Sequence, residues 1–329
     1  MKKLTLILIG LFFIPTLFLT SCDKGDDTLV VATPTETILA DYMISANADL
    51  DKILSSPDGV SFVASAPADA DLNTFLDKYY IVDIRSSTDF AAGHISGAKN
   101  VTLSNILAEG TSAGTKPVLV VCYTGQTACY ATALMRLYGF SNTQALKWGM
   151  SGWNSTTASS WNNNIGNIAS SSSNWSYASA PANGVYTKPA LSSLSTDGQT
   201  ILKSRVETVL ADGFKTAKGS DVLAAPESYF INNYFSSADY GAFGHIDGAV
   251  RINPLTIADN SVLGIDPSAK VVTYCYTGQT SAVITAWLRV LGYDAYSLTY
   301  GMNGLYNSNN AWTTNKWSAS VSKSLPLVQ

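Results

Sequence analysis

At 329 residues the chain is long enough for two domains, each able to bury its own core. Only 13% of its residues are charged, against 46% hydrophobic, and the formal net charge is -4, so it reads as a globular chain with a sparse, polar-uncharged surface. Lysine and arginine form no cluster, which argues against a nucleic-acid partner.

The chain opens with Lys2 and Lys3, followed by an almost unbroken apolar run from Leu4 to Leu19 that ends in LTSC, Leu19 to Cys22. The run is short for a spanning helix and sets the cysteine where cleavage would leave it as the new N-terminus. This segment resembles the signal peptide and lipobox of a bacterial lipoprotein. The resemblance implies a signal over residues 1–22, lipidation of Cys22, and a lipid-anchored place in the bacterial cell envelope, on the periplasmic face or the cell surface. The membrane is then a partner through that anchor. Residues 23–40, beginning DKGDDT, are expected to form a flexible tether. Of the four cysteines, Cys122, Cys129 and Cys275 remain, an odd number that predicts at least one free thiol in an oxidising compartment.

A first domain is expected over residues 41–154. A buried strand is predicted at Tyr80–Ile84, then a turn-rich segment carrying GHISGA, Gly93 to Ala98. A second strand, Pro117–Val121, has the unbroken apolar, valine-rich character of a parallel strand covered on both faces. It runs into CYTGQT, Cys122 to Thr127, and a helix with apolar residues at Ala131, Leu134, Met135 and Tyr138, stopped by Gly139. A short strand near Gln144–Leu146 and the segment KWGMSGW follow. Residues 155–180 are Ser/Asn-rich and are expected to be a linker, although Trp161, Ile165, Ile168 and Trp175 point to partial packing.

Residues 181–329 repeat the plan. Tyr229–Asn253 aligns with Tyr79–Asn100, and YGMNGL, Tyr300 to Leu305, aligns with WGMSGW, Trp148 to Trp153. CYTGQT recurs unchanged at Cys275–Thr280. Ordered landmarks at nearly constant spacing mean a duplicated domain. Alternating strands and helices with parallel-type strands predict an α/β architecture of two domains, each a small, mostly parallel sheet flanked by helices.

A cysteine that ends a parallel strand, followed by a short glycine loop and a helix N-terminus, is an arrangement for holding a sulfur anion. The crevice of such a sheet lies beyond the carboxyl ends of its strands. Main-chain N–H groups of Tyr123, Thr124, Gly125, Gln126, Thr127 and Ala128 can curl around Cys122, and the helix end adds positive potential. Tyr276, Thr277, Gly278, Gln279, Thr280 and Ser281 stand in the same relation to Cys275. Both effects favour thiolate, the nucleophilic form. Thr124, Gln126 and Thr127 could add side-chain donors toward the sulfur or its cargo.

The order D-x-R, GHIxGA, strand, C-x-x-G-x-T and a Gly/Trp-rich segment resembles the rhodanese homology domain of sulfurtransferases. In the first repeat the matching residues are Asp83, Arg85, Gly93, His94, Ile95, Gly97, Ala98, Cys122, Gly125 and Thr127. In the second they are Gly244, His245, Ile246, Gly248, Ala249, Cys275, Gly278 and Thr280. The resemblance implies that Cys122 and Cys275 are catalytic and that their loops bind substrate. It also implies a small sulfur-containing donor (thiosulfate or a polysulfide), a thiol or other nucleophilic acceptor, and chemistry that needs no cofactor and no metal.

The second repeat departs from the pattern, with Asn233 and Phe235 where the first has Asp83 and Arg85, so Cys122 is ranked before Cys275. Asp83 and Arg85 read as an ion pair that braces the site. The histidines, His94 and His245, read as structural residues of the GHIxGA turns. Cys129 has no counterpart in the second repeat, where Ala282 stands; core packing is the first reading and a resolving thiol for Cys122 the second. A cysteine-loop phosphatase would need arginine at Ala128 or Ser281. The remaining alternative is a non-catalytic envelope sulfur carrier or binding module that retains the fold.

Overall fold

The computed structural model describes residues 33–55 and 59–329. The signal segment and Cys22 lie outside the described residues. The tether expected to reach residue 40 instead gives way to helix α1, Thr35–Ser45, which buries Leu39, Ala40 and Met43. That apolar face packs against a helix of the second repeat, α4 below, which is why the segment is ordered well before residue 41.

The first sheet has five strands: β1 (Val63–Ala64), β2 (Tyr80–Asp83), β3 (Lys99–Asn100), β4 (Val118–Val121) and β5 (Gln144–Leu146). Their order is β1-β5-β4-β2-β3, with every pairing parallel. All four residues of β4 are buried, as its unbroken apolar run requires at the centre of a sheet covered on both faces. Helix α2, Ser87–Ala92, follows β2 and is capped by the Ser86 side chain, which accepts from the Asp89 N–H. Helix α3, Gln126–Tyr138, follows β4 and stops at Gly139 with φ 123°.

The second sheet repeats the arrangement with β6 (Thr216–Ala217), β7 (Phe230–Asn233), β8 (Val271–Tyr274) and β9 (Ala295–Leu298), in the order β6-β9-β8-β7 and again wholly parallel. Its helices include α4 (Gly198–Ala211), α5 (Ser237–Phe243) and α6 (Gln279–Val290). Helices α3 and α6, each following a CYTGQT loop, pack against one another, and α4 lies on both. One apolar core therefore runs through both repeats, joining Leu134 and Met135 of α3 to Val206 of α4 and Ile284 and Leu288 of α6.

Two further features tie the repeats together. In the stretch expected to be a linker, Trp161 is fully buried against Trp148, Trp317 and Tyr300. The end of the chain returns to the first sheet's domain: Leu325 N–H donates to Trp153 O (3.2 Å), and His94 and Val328 exchange two main-chain hydrogen bonds of 2.9 Å. The expected division at residues 154 and 181 is thus crossed in both directions, because each half covers apolar surface that the other leaves open.

Candidate active site

Cys122 follows directly on β4, and its Sγ accepts hydrogen bonds from the Gly125 N–H (3.1 Å) and the Ala128 N–H (3.3 Å). Gly125 adopts φ 85°, a left-handed conformation that bends the loop back over the sulfur and that a β-carbon would disfavour. The loop is held from below by the segment after β5. Met150 N–H donates to Cys122 O (2.8 Å) and Ser151 N–H to Tyr123 O (3.1 Å). Gly149 sits so close that a β-carbon there would overlap the Cys122 carbonyl. Trp148 just before it is itself left-handed, with φ 66°, and Tyr300 repeats this in the second domain with φ 61°. Non-glycine residues adopt that region seldom, and here both copies do so beside the cysteine loop.

The sulfur is 2% exposed. Burial pushes the Cys122 thiol up, and the N–H groups of Ala128, Thr124 and Gly125 offset this only in part, while the nearby Asp83 carboxylate adds to it. The expectation that the loop by itself favours thiolate is corrected: burial opposes the anion more strongly than the amides favour it. Gln126 is corrected as well. Its side chain turns away from the sulfur, Nε2 donating to Thr124 Oγ1 (3.1 Å) and Oε1 accepting from the Tyr300 N–H (2.8 Å) of the other domain.

Around Cys275 the cradle is leaner. Its Sγ accepts from the Ser281 N–H (3.3 Å) and lies 3.7 Å from Ser281 Oγ, which in turn lies 2.8 Å from Ser297 Oγ. Gly278 has φ 77°, and Met302 N–H donates to Cys275 O (3.0 Å) as Met150 does in the first domain. The identical hexapeptides are thus folded alike, but two main-chain N–H groups, of Gly125 and Ala128, lie at hydrogen-bond distance from the first sulfur, and one, of Ser281, from the second.

Asp83 and Arg85 form the bracing pair. Arg85 Nε lies 3.1 and 3.0 Å from the two carboxylate oxygens, and Nη2 donates to Asp83 Oδ2 (2.7 Å) and to Gly93 O (2.8 Å). The pair therefore ties the end of β2 to the far end of α2. In the second domain Asn233 Oδ1 accepts from the Phe235 N–H (2.8 Å), as Asp83 Oδ1 does from the Arg85 N–H (2.9 Å). Asn233 Nδ2 then donates to the Tyr274 hydroxyl (2.7 Å), and the Phe235 ring stacks on Tyr276 at 4.8 Å. An apolar and amide solution replaces the ionic one at the same place.

Tyr123, in the first loop, hydrogen-bonds through its hydroxyl to Asp89 at the start of α2, and Tyr276 does the same with Asp239. The half-exposed Tyr123 also borders a cavity of about 380 Å³ with Arg85, Thr157, Ser160 and Leu327. His94 and His245 face away from this chemistry: each Nδ1 lies near a main-chain oxygen, Phe90 O at 2.9 Å and Tyr240 O at 3.3 Å, and each ring stacks on the same residue's ring. Cys129 is buried and free, on a wall of a cavity of about 180 Å³ that Thr277, Gln279 and Thr280 of the second loop also line. It borders the second domain's loop, a position that a resolving role toward Cys122 did not anticipate. Arg136 and Arg289, at equal positions on the two loop-following helices, are buried: Arg136 Nη1 donates to Ile53 O (2.7 Å), and Arg289 Nη2 pairs with Asp212 (2.8 Å).

Sequence reasoning missed the cross-domain contacts of Gln126, Gln279 and Trp161. Only the exact recurrence of Gln in both loops hinted at them.

The family described as rhodanese-like domain matches this chain twice, over residues 68–156 and 231–308. Thiosulfate sulfurtransferase GlpE of Pseudomonas fluorescens is 39% identical over 77 residues, covering 23% of this chain and 71% of that protein. Among solved structures, thiosulfate sulfurtransferase from Pseudomonas aeruginosa is similar with TM-score 0.29 and 16% identity, over 82% of this chain and 49% of that one. The 3-mercaptopyruvate sulfotransferase SseA from Escherichia coli is similar with TM-score 0.27 and 16% identity, over 77% of this chain and 99% of that one.

Proposed function

The chain belongs to the rhodanese-like domain family and is a sulfurtransferase, and from that premise we propose that Cys122 carries a sulfane sulfur as a persulfide between a donor and a nucleophilic acceptor. In the first half-reaction the Cys122 thiol gives up its proton to solvent, and the resulting thiolate attacks the outer sulfur of thiosulfate or the terminal sulfur of a polysulfide. A new S–S bond forms as the donor's own bond to that sulfur breaks, and its electron pair leaves with sulfite or with the shortened polysulfide. In the second, an acceptor thiolate attacks the outer sulfur of the persulfide and Cys122 leaves as thiolate. The observation that carries this reading is the Cys122 sulfur at the end of a buried parallel strand, receiving the Gly125 and Ala128 N–H groups at 3.1 and 3.3 Å. Donors fixed in that geometry stabilise anionic sulfur in both halves without reorganising.

Cys275 is the second candidate. Its leaner cradle and the Asn233/Phe235 replacement favour, for that domain, the alternative of a sulfur carrier or binding module that retains the fold. An envelope location through lipidated Cys22 belongs to the same proposal; incorporation of labelled palmitate into the protein, lost in Cys22→Ala, tests it.

The activity test is intact mass. Incubation with thiosulfate or polysulfide is expected to add one or two sulfur atoms that a thiol reductant removes, with the first addition lost in Cys122→Ser. Absence of any adduct with every sulfane donor would leave the non-catalytic reading.

A further inference from the structure

Gln279 is the first residue of α6, directly after the second domain's loop, and it is buried. Its amide does not serve its own cysteine. Nε2 donates to the carbonyl oxygen of Thr124, 3.1 Å away in the first domain's loop. Because a peptide unit is planar, the Thr124 carbonyl and the Gly125 N–H are opposite ends of one rigid group. That N–H is the one that donates to Cys122 Sγ at 3.1 Å. Trp161 Nε1, from the segment between the repeats, donates to the same carbonyl, also at 3.1 Å.

We infer that Gln279 of the second domain is a positioning residue for Cys122, holding the Thr124–Gly125 peptide with its N–H aimed at the sulfur. A donor on the carbonyl acts twice: it fixes the peptide plane against rotation, and it polarises the unit so that its N–H is a better donor to an anion. Gly125 belongs to the same arrangement, since a β-carbon there would run into the Gln279 amide. The reciprocal contact has a different target. Gln126 Oε1 accepts from the Tyr300 N–H (2.8 Å), and the main-chain donor to Cys275 comes from Ser281. The assistance therefore runs toward Cys122, and it gives the second domain a part in the first domain's chemistry whatever its own activity. The consequence for turnover rests on the reading of Cys122 as the sulfur carrier; the positioning itself does not.

Gln279→Met keeps the length and bulk of the side chain and removes the donor. The readout is the pH dependence of iodoacetamide alkylation at Cys122, resolved by peptide mass spectrometry. The titratable groups that face Cys122 are Asp83 on β2, Cys129 on α3 and Tyr300 after β9, and the substitution alters none of them. The expected result is an alkylation midpoint moved to higher pH and a neutral-pH rate roughly three- to tenfold slower. Trp161→Phe, which removes the other donor to the same carbonyl and keeps an aromatic ring, is expected to move the profile the same way. Sulfur loading by Gln279→Met should lose kcat with KM unchanged. A Gln279→Met profile that superimposes on the unsubstituted one, a Trp161→Phe profile moved to lower pH, or a change in KM alone would overturn the inference. Failure of the sulfurtransferase reading would appear separately, as no sulfur adduct on the unsubstituted protein, with the alkylation profiles still deciding the role of Gln279.

Discussion

Exchanging the Asp83–Arg85 pair for the second domain's residues tests whether the first domain is braced as described. The guanidinium makes three contacts of 2.7–3.1 Å with a carboxylate that is fully buried, and it holds Gly93 O at 2.8 Å. Either single change strands the other charge: Arg85→Phe leaves the Asp83 carboxylate without its counter-ion, and Asp83→Asn leaves the Arg85 guanidinium so. Breaking a buried pair in this way costs about 3–5 kcal/mol. Asp83→Asn with Arg85→Phe removes both charges and keeps the acceptor for the residue 85 N–H. Its remaining cost is the Asn amide, because Val121 stands where Tyr274 offers Asn233 a hydroxyl, together with the donor that Gly93 O loses. One unsatisfied buried donor costs about 1–3 kcal/mol. Urea unfolding followed by tryptophan fluorescence should therefore find the double variant more stable than either single one, with a coupling of roughly 2 kcal/mol or more. Additive losses, or an Arg85→Phe cost below about 1 kcal/mol, would refute the reasoning, since the pair would then be neither buried nor coupled as described.

Three further outcomes are expected. Gly149→Ala should disorder the first cradle, because its β-carbon has no room beside the Cys122 carbonyl and the glycine's φ is 59°. Alkylation of Cys122 in that variant should lose the pH profile of the unsubstituted protein, while Cys275 keeps its own. Cys122 should alkylate slowly at neutral pH and faster only above the ordinary thiol range, since burial raises its pKa. The sign for stability follows: a raised folded-state pKa favours the protonated form, so its contribution is complete below the unfolded thiol's pKa and is lost as pH rises through the folded value. Cys122→Ser should flatten that alkaline loss in a pH series of thermal midpoints.

Much of each domain was legible in the sequence because its signals are local. The valine-rich apolar run of Val118–Val121, the glycine that ends α3 and the short strand Gln144–Leu146 stand where their patterns put them. The repeat made those local signals reinforce one another. What escaped were contacts made at long range by residues whose types carry no pattern. Serine and asparagine around Trp161 signal a loose linker, yet one indole packed among Trp148, Trp317 and Tyr300 fixes the stretch. The return of the chain end to His94 and Trp153 joins main-chain hydrogen bonds to the Trp153 indole, which donates to Pro326 O (3.0 Å), and to Leu325 buried in the first sheet's core, partners more than 170 residues apart that no local pattern links. The thiolate expectation fails for a related reason: the loop's N–H groups can be counted from sequence, while the burial that opposes them follows from the folded packing around Cys122.

The central claim is that the first CYTGQT loop is the sulfur-bearing centre. Its most direct test is to load the protein with substoichiometric polysulfide, trap free thiols and persulfides with an alkylating agent, and locate the added sulfur by peptide mass spectrometry. The sulfur is expected on Cys122 ahead of Cys275. Sulfur confined to Cys275 or Cys129, with Cys122 recovered only as the plain alkylated thiol, would contradict it.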